Sequence, residues 1–176
     1  MIGQITIIAP TILFSIEGLH AQQKQSENYN NTKIMLDGTK NVTILDQQTR
    51  EIIEEFYSVQ SGKKRGNLTE LFAEVVDFDL PGNMEKFPWT GKRNTKKEVE
   101  DFFKILYENV KSEKFDVEFI SVNGENAVAV GQLSSVILKY NKVFNTQFAA
   151  IFKVRNGKIV KYHFMEDNYR LNEEMQ

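Results

Sequence analysis

The back half of the chain constrains the fold most. From Phe115 onward four strand-like runs follow one another, Phe115 to Ser121, Ala127 to Tyr140, Val143 to Val154 and Lys158 to Glu166, all rich in Val, Ile, Phe and Tyr. Asn123-Gly124 and Asn156-Gly157 separate the members of two neighbouring pairs. Both residue types tolerate the positive φ that a tight hairpin turn requires, so the runs are expected to pair as an antiparallel meander. Long strands such as Val128 to Leu138 carry apolar residues on both faces. Helices can cover one face, and a second copy of the chain is the expected cover for the other, giving a homodimer.

The front half supplies the helices. Ile52, Ile53, Phe56 and Val59 recur at helical spacing between Asp46 and Ser61, and Gly62 ends that helix. A second, short helix is expected from Asn67, a good cap, through Leu68, Leu71 and Phe72. Val75 to Leu80 reads as a short strand stopped by Pro81-Gly82, and a loop follows that carries Phe87, Pro88, Trp89 and Gly91. Thr95-Lys96-Lys97-Glu98 is a capping box, in which the Thr hydroxyl and the Glu carboxylate each accept from the other's backbone NH. It opens a third helix with the apolar stripe Val99, Phe102, Phe103, Leu106 and Val110. Helices first and strands afterwards indicate an α+β domain, three N-terminal helices lying on one face of a curved, mainly antiparallel sheet. Its expected limits are residues 46–171, with 172–176 as a tail.

Composition narrows the chemistry. The 176 residues, 41% of them apolar, suffice for one core. Lys+Arg 22 against Asp+Glu 24 leaves −2, which offers no basic field for nucleic acid or an anionic membrane. No cysteine is present, so disulfides, thiolate metal sites and a cysteine nucleophile are excluded. His20 and His163 are the two histidines, and neither a metal nor a cofactor is expected. An apolar run from Ile2 to Ile16, closed by Ala21 before the polar Gln22-Gln23-Lys24-Gln25, reads as a signal peptide over 1–21. It lacks a basic start and is too short for a confident membrane span. A polar, Asn-rich tether over 22–45 follows, and the mature protein is expected to be secreted or periplasmic. The alternative is a leader retained in a cytoplasmic fold.

The ordered set of motifs is more specific than any one of them. Leu71-Phe72-Ala73-Glu74, Phe87-Pro88-Trp89-Thr90-Gly91 and Glu98-Val99-Glu100-Asp101-Phe102-Phe103 resemble the front half of a SnoaL-like domain of the nuclear transport factor 2-like superfamily. Phe152 to Val160 and His163-Phe164-Met165-Glu166-Asp167 are similar to its last hairpin and acidic terminus. The resemblance covers about Asp46 to Leu171 and implies a cone that holds a small apolar molecule. It leaves the activity open, because members include cyclases, isomerases, epoxide hydrolases, dehydratases and binding or assembly modules.

Two branches can be weighed residue by residue. In the ketosteroid isomerase branch the tyrosine, base and protonated-aspartate positions fall on Phe56, Leu80 and near Ala150, so all three groups are absent and that activity is rejected. The cyclase branch implies an acid near the end of the last strand, where Asp167 stands, with His163 four residues earlier and so on the same strand face. This pair is the expected acid/base site. Tyr162, Phe164 and Glu166 share the other face, and which set looks inward stays open. Tyr57, Trp89, Asp79 and Phe56 are the expected ligand-binding residues, although each has a plainer reading as core, loop plug or solvated strand carboxylate. A non-catalytic ligand-binding or assembly module is the alternative.

Overall fold

Thr43 caps the first helix in a computed structural model that describes residues 43–176. The signal peptide expected over 1–21 and the tether up to residue 42 lie outside the described residues. The Thr43 hydroxyl accepts from the Asp46 NH at 3.0 Å, and the Asp46 carboxylate accepts from the Thr43 NH at 2.9 Å. This reciprocal cap starts α1 (Ile44–Gln60) two residues before Asp46, inside the stretch expected to be tether. Ile53, Phe56 and Tyr57, at helical spacing, turn one side of α1 into the core. The helix start is also fastened to a distant hairpin. Asp46 Oδ1 accepts from the Gly124 NH at 2.6 Å, and the Thr49 hydroxyl donates to the Gly124 carbonyl at 2.8 Å.

The expected second helix is a single 3₁₀ turn over Leu68–Leu71. Asn67 caps it, accepting from the NH and the hydroxyl of Thr69. Four residues cannot repay the cost of nucleating an α-helix. Phe72 instead opens β1 (Phe72–Leu80), which pairs with the last strand from Phe72 opposite Ile159 onward. β2 (Gly91–Thr95) lies antiparallel to β1, and the Thr95–Glu98 capping box begins α2 (Lys96–Asn109). One helix, rather than three, therefore precedes the sheet.

The remaining strands are β3 (Val110–Asn123), β4 (Asn126–Ile137), β5 (Lys142–Arg155) and β6 (Lys158–Glu166), followed by α3 (Asn168–Glu174). The six-stranded sheet has the order β2-β1-β6-β5-β4-β3. Its β1–β6 pair is parallel and the others are antiparallel, so the sheet is mixed. α1 and α2 cover its inner face, where Phe72, Phe78, Phe148, Phe152 and Tyr162 are buried. α3 carries the fold past the expected boundary at Leu171, because Leu171 and Met175 are each 1% exposed. Among the described residues no helix is long and apolar enough to cross a membrane.

Gly131 marks the tightest approach within the sheet. It faces Val117 beside an irregularity between Val117 and Phe119, and a Cβ there would lie 1.9 Å from the Asp116 carbonyl oxygen and 2.9 Å from the Phe148 ring. Backbone on one side and a packed ring on the other leave no cheap relaxation. Gly131→Ala should therefore destabilise the fold by about 2 kcal/mol or more, read as a lowered Tm by thermal denaturation.

Candidate functional site

Two helices over a six-stranded sheet leave part of the inner face uncovered, and a cavity of about 1090 Å³ lies there. Tyr57 of α1, Phe102, Phe103 and Leu106 of α2, and Trp89 of the β1–β2 loop form one side. Phe115, Leu133, Phe144, Tyr162 and Phe164 of the sheet form the other. Exposed polar residues at the same cavity, among them Glu54, Lys63, Glu113, Asp116 and Glu118, mark its mouth.

Glu166 is the half-buried acid in this wall. It ends β6 directly opposite Phe148 of β5, so it shares the inner face with that ring. Desolvation pushes its carboxyl up to about 7, with no opposing cation or hydrogen bond acting on it among the described residues. Tyr162, two residues earlier on the same face, is a phenol held far above its ordinary range, first by burial and then by Tyr57, Glu166 and Tyr107 nearby. Burial likewise raises Tyr57, whose hydroxyl has no hydrogen-bond partner among the described residues. The wall thus combines aromatic rings, buried phenols and one acid that titrates near neutrality.

His163 and Asp167 are not brought together. His163 points to the outer face, where its Nε2 lies 2.8 Å from Asp77 Oδ1. That contact and Lys161 at 3.2 Å hold the Asp77 carboxyl below its usual range. Asp167 is exposed and caps α3, accepting from the Arg170 NH at 2.9 Å. The strand ends at Glu166, so the alternation that would align residues 163 and 167 stops one residue short. Of the expected ligand-binding residues, Tyr57 and Trp89 line the cavity. Phe56 is fully buried among Phe72, Phe152 and Tyr162, and Asp79 lies on the outer face opposite His163. Glu166 could have been chosen over Asp167 from its alternation with two aromatic residues, Tyr162 and Phe164, which is the pattern of a buried face.

The SnoaL-like domain model matches residues 53–162, more than half of the chain. The chain belongs to the SnoaL-like domain family. Solved structures agree on the fold of this SnoaL-like domain. An NTF2-like protein of Burkholderia xenovorans superposes with a TM-score of 0.65 at 20% identity, over 74% of this chain and 98% of that one. An NTF2-like protein of Burkholderia thailandensis gives 0.62 at 21% identity, over 73% and 97%. A protein of Pseudomonas putida provisionally assigned as a polyketide cyclase gives 0.62 at 14% identity, over 73% and 98%. At such identities the likeness establishes the fold and leaves the activity open. A search of curated proteins gave no match.

The Glu166 environment has a thermodynamic consequence. Its folded pKa of about 7 lies above the ordinary value of 4.5, so between those values the native state binds more protons than the unfolded chain. Stability from this group is complete below about pH 4.5 and is lost as pH rises through about 7. Glu166→Gln should remove that slope, worth about 2 to 3 kcal/mol, in urea denaturation compared from pH 4.5 to 7.5.

Proposed function

We propose that this SnoaL-like domain encloses a small, largely apolar organic molecule and that Glu166 moves a proton on it. The observation that carries the reading is the placement of a near-neutral carboxyl, paired with no cation among the described residues, in the wall of an aromatic cavity of about 1090 Å³. A group whose pKa lies near ambient pH is populated in both acid and base forms, which is what general acid/base catalysis requires. Enolisation next to a ketone, and the cyclisation, isomerisation or dehydration that starts from it, fits such a site without a cofactor. Glu166 replaces Asp167 in this reading, because Asp167 is engaged in capping α3. The non-catalytic module remains the second reading, favoured by the absence of a second hydrogen-bonded acid or base beside Glu166 among the described residues.

An aryl methyl ketone such as 2-acetylnaphthalene separates the two. If the domain is a catalyst, the ketone should bind, and its methyl protons should exchange with deuterated water at a rate that rises through an apparent pKa of about 7. Glu166→Gln should abolish the exchange while leaving affinity within about threefold. Binding without exchange at any pH supports the module, and no binding of any ring-bearing ketone overturns the ligand reading.

We also propose that the outer sheet face pairs with a second copy. Phe119, Val130, Ala149 and Met165 form a cross-strand row on that face, with Phe119 54% and Met165 43% exposed. The same face carries both signs of charge, Asp77 and Asp79 on β1 against Lys153 and Lys161 on β5 and β6. Both signs on one surface let that surface meet itself about a twofold axis. Light scattering should give twice the chain mass, and Phe119→Asp should return the monomer; a monomeric parent protein would count against the pairing.

A further inference from the structure

Arg93 is a buried charge, 7% exposed, that none of the preceding chemistry uses. It stands on β2 opposite Phe78, and its side chain enters the space between β1, α2 and the loop before β2. Among the described residues no carboxylate lies within ion-pair distance of it. Its guanidinium is instead solvated by main-chain carbonyls: Nη1 donates to Thr90 and, at 2.7 Å, to Gly91, and Nη2 donates to Pro88 at 3.2 Å. The group also lies 5.5 Å from the centre of the Phe102 ring, which lines the cavity.

These contacts bracket Trp89. The peptide unit before Trp89 is held through the Pro88 carbonyl on Arg93. The unit after it is held through the Thr90 NH, which donates to the Phe87 carbonyl at 2.9 Å, and the Thr90 hydroxyl donates to that same carbonyl. Hydrogen bonds on both flanking peptide units restrict φ and ψ at Trp89, and the indole, 4% exposed, is presented as a cavity wall. The planar fork of Arg reaches several carbonyls at once, which the single ammonium of Lys does not reproduce.

We infer that Arg93 is a positioning residue: its guanidinium clamps the Pro88–Gly91 turn so that Trp89 forms a rigid, pre-shaped wall of the binding cavity. The inference rests on the ligand reading above for its functional consequence, but the clamp itself is tested without a ligand. Trp89 is the one tryptophan in the chain, so intrinsic fluorescence reports on it alone. In the full chain, Arg93→Met keeps an apolar stem against Phe102 and removes every donor. Its emission should shift to the red and acrylamide quenching should rise, with unchanged far-UV circular dichroism. Arg93→Lys should fall between the parent and Arg93→Met. Lys92→Met, on the exposed neighbour, should match the parent. Affinity for 2-acetylnaphthalene should fall about tenfold in Arg93→Met, as a displaced wall requires. Should both Arg93 variants fail to fold, NMR of the parent protein decides the matter. Separately resolved Nη protons show a guanidinium locked in place, and fast rotational averaging overturns the clamp. Folded variants with unchanged emission and quenching overturn it as well. A parent protein that fails to bind the ketone while the quenching changes occur refutes the ligand reading and leaves the clamp standing.

Discussion

One aromatic cluster holds the domain together. Phe56 of α1 meets Phe72 of β1, Phe152 of β5 and Tyr162 of β6 with ring centres between 5.5 and 6.1 Å apart, mostly edge to face. Phe78 extends the cluster to Phe102 of α2 at 4.6 Å. These contacts join both covering helices to the strands in the middle of the sheet, including the parallel β1–β6 pair that sequence-adjacent hairpins cannot make. Ring pairs in this geometry contribute about 0.5 to 1.5 kcal/mol each beyond the area they bury. The cavity depends on this arrangement, because the helices are pinned at the cluster and the inner face beyond it, toward Leu133, Phe144 and Phe164, is left uncovered by them.

Local chemistry explains which parts of this fold are legible in the sequence. The Thr95–Glu98 box, the Asn156-Gly157 turn and the alternating strands are determined within a few residues, and each forms as the pattern indicates. The first hairpin instead turns one residue later than Asn123-Gly124 predicts, on Gly124-Glu125, because Asn123 still pairs with Asn126. The 3₁₀ turn at Leu68–Leu71 is different. Leu68, Leu71 and Phe72 have helical spacing, but Phe72 belongs to a strand because Ile159 of β6, 87 residues later, is its pairing partner. β2 and α3 are hidden for a related reason. Gly91-Lys92-Arg93-Asn94-Thr95 has no alternating apolar pattern, since its interior residue is an arginine, and α3 buries only Leu171 within its own span.

The site was half visible on the same grounds. Tyr57 and Trp89 could be named from their own positions, one on a helix face and the other in an aromatic loop. The choice between Glu166 and Asp167 depended on which side of β6 faces the helices, and on where that strand ends. Strand alternation by itself is symmetric between the two faces. The aromatic pair Tyr162 and Phe164 is the local signal that breaks the symmetry, and the fold follows it: Tyr162 is claimed by the Phe56 cluster, so Phe164 and Glu166 follow it inward, and His163 is left outside to bond with Asp77.

That division explains why the acid in the cavity is costly and why its cost is informative. A carboxyl that serves only the fold gains from donors, as Glu98 does at its cap and Asp77 does beside His163, and both are held below their ordinary range. Glu166 shows the reverse. It is desolvated and, among the described residues, no donor compensates it, so at neutral pH part of the population carries a charge that none of them pairs, beside aromatic rings. Domains of this size retain only about 5 to 15 kcal/mol of stability, so a penalty of about 2 to 3 kcal/mol from one side chain is substantial. An apolar residue of similar volume would avoid it and pack against Phe148 and Phe164. Nothing in the packing of β6 requires an acid at position 166, and the feature that gives the position meaning is the space in front of it, where a bound molecule could take or supply the proton.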